Sequence, residues 1–182
     1  MYGMVNQGVE TFIKQNHGDQ AWADICAKAG LSDTNFTQMQ TYDDKVTYDL
    51  VGAICDFTDL DAAKVLEVFG EFWVQYAEGS QLGRLLNFAG TSFVETLEAL
   101  DDMHERVRVT MPDLQPPSFE VEELDDETVE LHYYSDRPGL APMVRGLLTA
   151  LAARHDQKIA IEQTDAKDSG ADHDVFRITL LE

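Results

Sequence analysis

Cysteine, proline and positive charge are all scarce in this chain of 182 residues, and each shortage removes a class of explanation. The two cysteines, Cys26 and Cys55, form no CxxC pair and sit in apolar helical patterns, so they read as buried thiols rather than a disulfide. No CxxCH occurs, which excludes a covalently attached haem of the c type. Only 13 Lys plus Arg stand against 34 Asp plus Glu, giving a net charge of −21 with no basic window to offset it. Such a field repels phosphate backbones and anionic lipid, so nucleic acid and membrane surfaces are excluded as partners, and an anionic ligand needs donors placed locally. No apolar run approaches the ~20 residues of a membrane span. The opening MYGMVNQGVETFIKQ lacks the basic head and apolar stretch of a secretory leader, so the chain reads as cytoplasmic. Neither internal repeats nor low-complexity stretches are present.

What is there is a helical first two-thirds. Val5, Val9, Phe12 and Ile13 share one helical stripe that Asn16-His17-Gly18 stops, and Asp19 caps a second helix carrying Trp22, Ile25 and Cys26. Leu31 to Thr41 reads as irregular. A third helix is expected over Asp43 to Asp56. A fourth follows, capped by Thr58 or Asp59, with Phe69, Trp73 and Tyr76 in an aromatic stripe, and a short helix over Leu82 to Phe88 comes next. Three of the five prolines fall within Met111 to Pro117, where they rule out helix and force an extended connector. Beyond it, Phe119/Val121 and Val129/Leu131/Tyr133 alternate as strands do. A helix to about His155 and two more strands, Ile159/Ile161 and Phe176/Ile178/Leu180, complete the chain. The fold class is α+β: one domain over 1–182, with a helical part over 1–110 and, over 111–182, a four-stranded antiparallel sheet with a packed helix.

Two features interrupt this pattern. Phe93, Leu97, Leu100, His104 and Val107 recur at helical steps, so His104 points where a leucine belongs. A neutral imidazole there is either a hydrogen-bonded core residue or a metal ligand whose remaining coordination comes from a cofactor. The second feature is Tyr133-x-Ser135-x-Arg137 at a strand end, which in extended chain projects a phenol, a hydroxyl and a guanidinium to one side. Three converging donors suit a pair of carboxylates. An iron ligand, an aromatic-lined apolar slot and a clamp for two carboxylates together match the needs of haem b.

The tracts MYGMVNQG, YDDKVTYDLV, FGEFWVQYAE, LEALDDMHERV, MPDLQPPSF and LHYYSDRPGLAPMVRGLL resemble, in order and over essentially the whole chain, the H-NOX family. This is the haem domain of bacterial gas sensors and of the soluble guanylate cyclase beta subunit. The resemblance implies that His104 is the proximal ligand of a non-covalent haem b, that Tyr133, Ser135 and Arg137 hold its propionates, and that Pro117 presses on the porphyrin. It also implies that Val5, Trp73, Met143 and Leu147 line the opposite wall, with Leu100 beside the ligand. By the same resemblance the chain senses nitric oxide and carbon monoxide and is not itself an enzyme. Oxygen is excluded because the position of the family's distal tyrosine falls on Pro142 or Met143. The signal is release of the proximal histidine, passed to a separate histidine kinase, cyclic-di-GMP enzyme or other output protein. Some bacterial members hold zinc through cysteines near the C-terminus. The matching loop, Gln163 to Asp174, has none, so His173 reads as part of a solvated acidic loop and no zinc is expected. His132 alternates away from Tyr133 onto the exposed sheet face, and His155 caps a helix end. Two rivals stand beside this reading: a haem-free module of the same fold, and a hydrolase using His104 as base, which lacks a nucleophile motif.

Overall fold

The computed structural model describes residues 1–32, 34–79, 90–110 and 113–182, with the side chain of residue 110 left aside. The helix expected over 82–88 lies outside the described residues.

Helix α1 spans Gly3–Lys28 and bends at Gly18, whose φ of 85° and ψ of 173° suit glycine alone. The stop expected there is present as a break in the helical backbone, and the second helix beyond it returns Trp22, Ile25 and Cys26 to the same core as Val9 and Ile13. Helix α2, Asp44–Thr58, starts at Asp43, whose carboxylate accepts from the Lys45 amide at 2.9 Å, and ends at Asp59 in the left-handed conformation. Because Asp59 is spent on that ending, the cap of α3 (Ala62–Glu78) moves to Asp61, which accepts from the Lys64 amide at 2.7 Å. Helix α4 covers Phe93–Thr110 and buries Phe93, Leu97, Leu100 and Val107, the stripe predicted from spacing.

The C-terminal part runs β1 (Ser118–Glu123), β2 (Thr128–Tyr134), α5 (Ala141–Arg154), β3 (Lys158–Asp165) and β4 (Asp174–Leu181). All neighbours pair antiparallel in the order β1-β2-β4-β3. Val129, Leu131 and Tyr133 point inward and are buried, as alternation requires, and meet Val144, Leu148 and Leu151 of α5 together with Phe176 and Ile178 of β4. Arg145 of α5 donates to the Ile161 carbonyl of edge strand β3 at 2.9 Å.

Helices α3 and α5 join the two parts by crossing backbone to backbone. A Cβ placed on Gly146 would overlap the Glu67 carbonyl, and one on Gly70 would overlap that of Met143. Among the described residues no helix is long and apolar enough to cross a membrane.

Candidate functional site

Where the helical part meets the sheet, α1, α3, α4, α5 and the proline-rich connector enclose an apolar cavity. Every residue nominated from the sequence lines it: His104, Leu100, Pro117, Tyr133, Ser135, Arg137, Val5, Trp73, Met143 and Leu147. Of the two positions offered for the family's distal tyrosine, Met143 borders the cavity and Pro142 does not. Trp73 stands within the aromatic stripe, its ring 5.9 Å from Phe69 and 5.6 Å from Tyr76.

His104 enters from α4 with its ring stacked at 5.4 Å on Phe119, which in turn packs at 5.4 Å on Tyr133. Burial pushes the His104 imidazole down to about 4, although the Asp101 carboxylate pulls it upward. The ring is therefore neutral at pH 7 and keeps a lone pair. Its Nδ1 is buried without a hydrogen-bond partner. A buried polar atom left so costs about 1–3 kcal/mol, less here to the extent that the Leu100 carbonyl one turn earlier interacts with the ring.

The clamp forms where β2 ends. Burial raises the Tyr133 phenol, while its side-chain hydrogen bond with Ser135 draws it back, so it stays a protonated donor. The Arg137 amide donates to the Ser135 hydroxyl at 3.1 Å. The Arg137 guanidinium donates through Nε to Asp44 at 2.8 Å and through Nη1 to the Gln115 carbonyl at 2.7 Å. Burial pushes the Asp44 carboxyl up, but hydrogen bonds from the Met1 ammonium and from Arg137 outweigh this and hold it below the usual carboxylate range. A neutral imidazole with an orphaned nitrogen, a hydrocarbon slot and a cation beside two hydroxyls form a donor set that fits haem.

The family model described as "Haem-NO-binding" matches residues 2–163. The chain belongs to the H-NOX family. Among curated relatives, the soluble guanylate cyclase gcy-31 of Caenorhabditis elegans is 27% identical over 180 residues, which are 98% of this chain and 26% of that protein. The soluble guanylate cyclase gcy-33 of the same organism is 30% identical over 171 residues, 93% of this chain and 18% of that protein. The chain thus spans about a quarter or less of these cyclases, and the stretch shared is the haem-binding sensor domain rather than a catalytic one. The fold agrees with an H-NOX protein from S. oneidensis solved in the Fe(II)NO ligation state, at a TM-score of 0.91 and 21% identity over all of both chains. It agrees also with the unliganded Fe(II) H-NOX protein from K. algicida, at 0.83 and 21% over all of this chain and 97% of that one.

Four partners of the H-NOX site are not evident from sequence. Asp101 accepts the Phe119 amide at 3.2 Å and so ties α4 to β1 beside His104. Asp44 and Gln115 hold Arg137 from 93 and 22 residues away, beyond the reach of any periodicity argument. Tyr48, one turn after Asp44, borders the cavity and donates to the Pro138 carbonyl at 2.9 Å.

Proposed function

We propose that this H-NOX chain binds haem b non-covalently through His104, senses nitric oxide and carbon monoxide while excluding oxygen, and signals to a separate protein. The observation that carries this reading is the neutral His104 ring, its Nδ1 unpartnered, bordering an apolar cavity that also holds Tyr133, Ser135 and Arg137. When bound, the haem iron supplies an open position for a diatomic gas.

The chain's own residues do the rest. Phe119 fixes the plane of His104, and Pro117 and Leu100 pack beside it. Arg137, already oriented by Asp44 and Gln115, offers its remaining nitrogen to a carboxylate with little ordering cost. The opposite wall, with Val5, Phe69, Met143 and Leu147, gives no hydrogen to a bound gas. Oxygen needs such a donor to be held well, whereas nitric oxide and carbon monoxide do not. Among the described residues of that wall Trp73 carries an indole N–H, and its ring packs on Phe69 and Tyr76. Release of His104 would free α4 to move, and Asp101, which accepts the Phe119 amide, would pass that movement to β1. The receiving protein, a histidine kinase, a cyclic-di-GMP enzyme or another output module, lies outside this chain. The setting is cytoplasmic, without nucleic acid or membrane as partner.

The reading is tested by absorption and electron paramagnetic resonance on the ferrous protein. In air it forms no oxygen complex lasting minutes. With nitric oxide it gives a complex without nitrogen splitting from His104. A stable oxy spectrum would refute the exclusion of oxygen, and persistent imidazole splitting would refute release of His104.

Replacing Arg137 distinguishes a clamp from a surface ion pair. Exposed pairs contribute about 0–1 kcal/mol, whereas hydrogen bonds to charged groups contribute about 1.5–3 kcal/mol. Arg137→Ala is therefore expected to lose haem to an apomyoglobin trap at least tenfold faster than exposed Lys158→Ala. Equal rates would place the propionates elsewhere.

A further inference from the structure

The outer face of the sheet, turned away from the haem cavity, carries a cluster that the sensor reading does not use. Residues at alternate positions of β1 and β2 project there, and Glu122 and Glu130 are direct cross-strand partners, with His132 two residues along β2. One ligand atom from each of Glu122, Glu130 and His132 falls within 4.8 Å of the others. His132 Nε2 stands 3.9 Å from a Glu122 oxygen, too far for a hydrogen bond. It is a natural spacing for two ligands on one ion, since ligands at ~2.1 Å from a shared metal lie up to ~4.2 Å apart. Arg177 engages Oε1 of Glu130 at 2.9 and 3.1 Å, which leaves Oε2 to turn toward the same point.

The other side of His132 gives the cluster its direction. His132 Nδ1 lies 2.8 Å from Nε2 of His173, and His173 is stacked at 4.2 Å on Tyr134. His173 Nδ1 is buried with no hydrogen-bond partner, and its nearest anion is an Asp172 oxygen at 3.4 Å. A proton on His132 Nδ1 donated to His173 leaves the Nε2 lone pair of His132 facing the two carboxylates. Metal-bound histidines are oriented in this way, by donating their second nitrogen to a partner. The sequence leaves His173 alone in an acidic loop; the fold brings it to His132.

The geometry points to a divalent transition-metal site on this face, zinc being the simplest occupant, with Glu122, Glu130 and His132 as ligands and His173 as the residue that positions His132. The imidazole donor suits zinc and its neighbours better than calcium or magnesium, which prefer an all-oxygen shell, and the acidic chain favours any cation. Solvent or a partner group completes the shell. Bound there, the ion pins β1 to β2 and, through His173, to the loop that leads into β4. This inference is independent of the haem reading.

The test is zinc titration calorimetry on the full chain after chelator dialysis, paired with X-ray absorption at the zinc edge. Wild type is expected to bind one equivalent with a shell of nitrogen and oxygen that includes a single imidazole. His132→Gln and Glu122→Gln abolish that equivalent. His173→Asn weakens it by about 10–100-fold, while the circular dichroism and the metal-free melting temperature of all three stay those of metal-free wild type. Asp168→Asn, in the neighbouring loop, leaves binding unchanged. Unaltered affinity in His132→Gln, several weak sites lost together with loop carboxylates, or a shell without imidazole would overturn the assignment. A shell with two imidazoles would overturn the positioning role of His173.

Discussion

His104→Ala is expected to purify with less than about a tenth of the haem of the wild-type chain, and to recover it when imidazole is supplied during expression. Removal of the ring deletes the one nitrogen ligand the cavity offers from α4 and leaves a space bounded by Phe119 and Leu100. Imidazole fits such a space because it is the group removed. The clamp and the apolar walls remain, so the loss reports on the ligand alone, and the Soret band of the rescued protein reads the outcome directly. Full haem content with an unchanged ferrous spectrum in the unrescued variant would show that another residue binds the iron.

The second large effect concerns the crossing of α3 and α5. Gly146→Ala places a methyl group against the Glu67 carbonyl, and because the obstacle is backbone, no side-chain rotation relieves it. Overpacking of this kind costs about 1–3 kcal/mol. At ~2–4 °C per kcal/mol for a chain of this length, the melting temperature should fall by several degrees. Gly52→Ala provides the opposite sign within the same protein. Gly52 lies inside α2 with nothing within 4 Å of a Cβ, so alanine there removes only unfolded-state freedom. It should stabilise by about 0.5–1 kcal/mol. Equal shifts for the two variants would mean that the helices separate easily and that the close crossing is not a constraint.

Much of this was legible in the residues, for particular reasons. Helical and strand periodicity located the stripes of α4 and β2, and one histidine in a leucine position marked the site because burial makes such exceptions expensive. Alternation at the end of β2 grouped Tyr133, Ser135 and Arg137. What was illegible depends on distance along the chain. Nothing in YDDKVTYDLV announces that Asp44 will receive Arg137, and nothing near His132 announces His173. The break at Gly18 was legible because a glycine after Asn16-His17 can take a backbone conformation closed to other residues, and it interrupts the helix there. The cap of α3 was misplaced because three acceptors, Thr58, Asp59 and Asp61, compete within four residues.

The two side chains that reach the sheet from its helices have one more consequence. An open sheet has two rims, here β1 and β3, and the outward backbone groups of a rim are a template on which another chain can lay a strand. Asp101 takes an amide of β1 and Arg145 takes a carbonyl of β3, so each rim is engaged at one point by a charged group anchored on a packed helix. A second copy that approached β1 would meet Glu120, Glu122 and Glu123 in a row and would have to displace Asp101 as well. The contact that ties α4 to the sheet beside His104 therefore also occupies an outward amide of the β1 rim, and loosening it would leave that amide open to another strand.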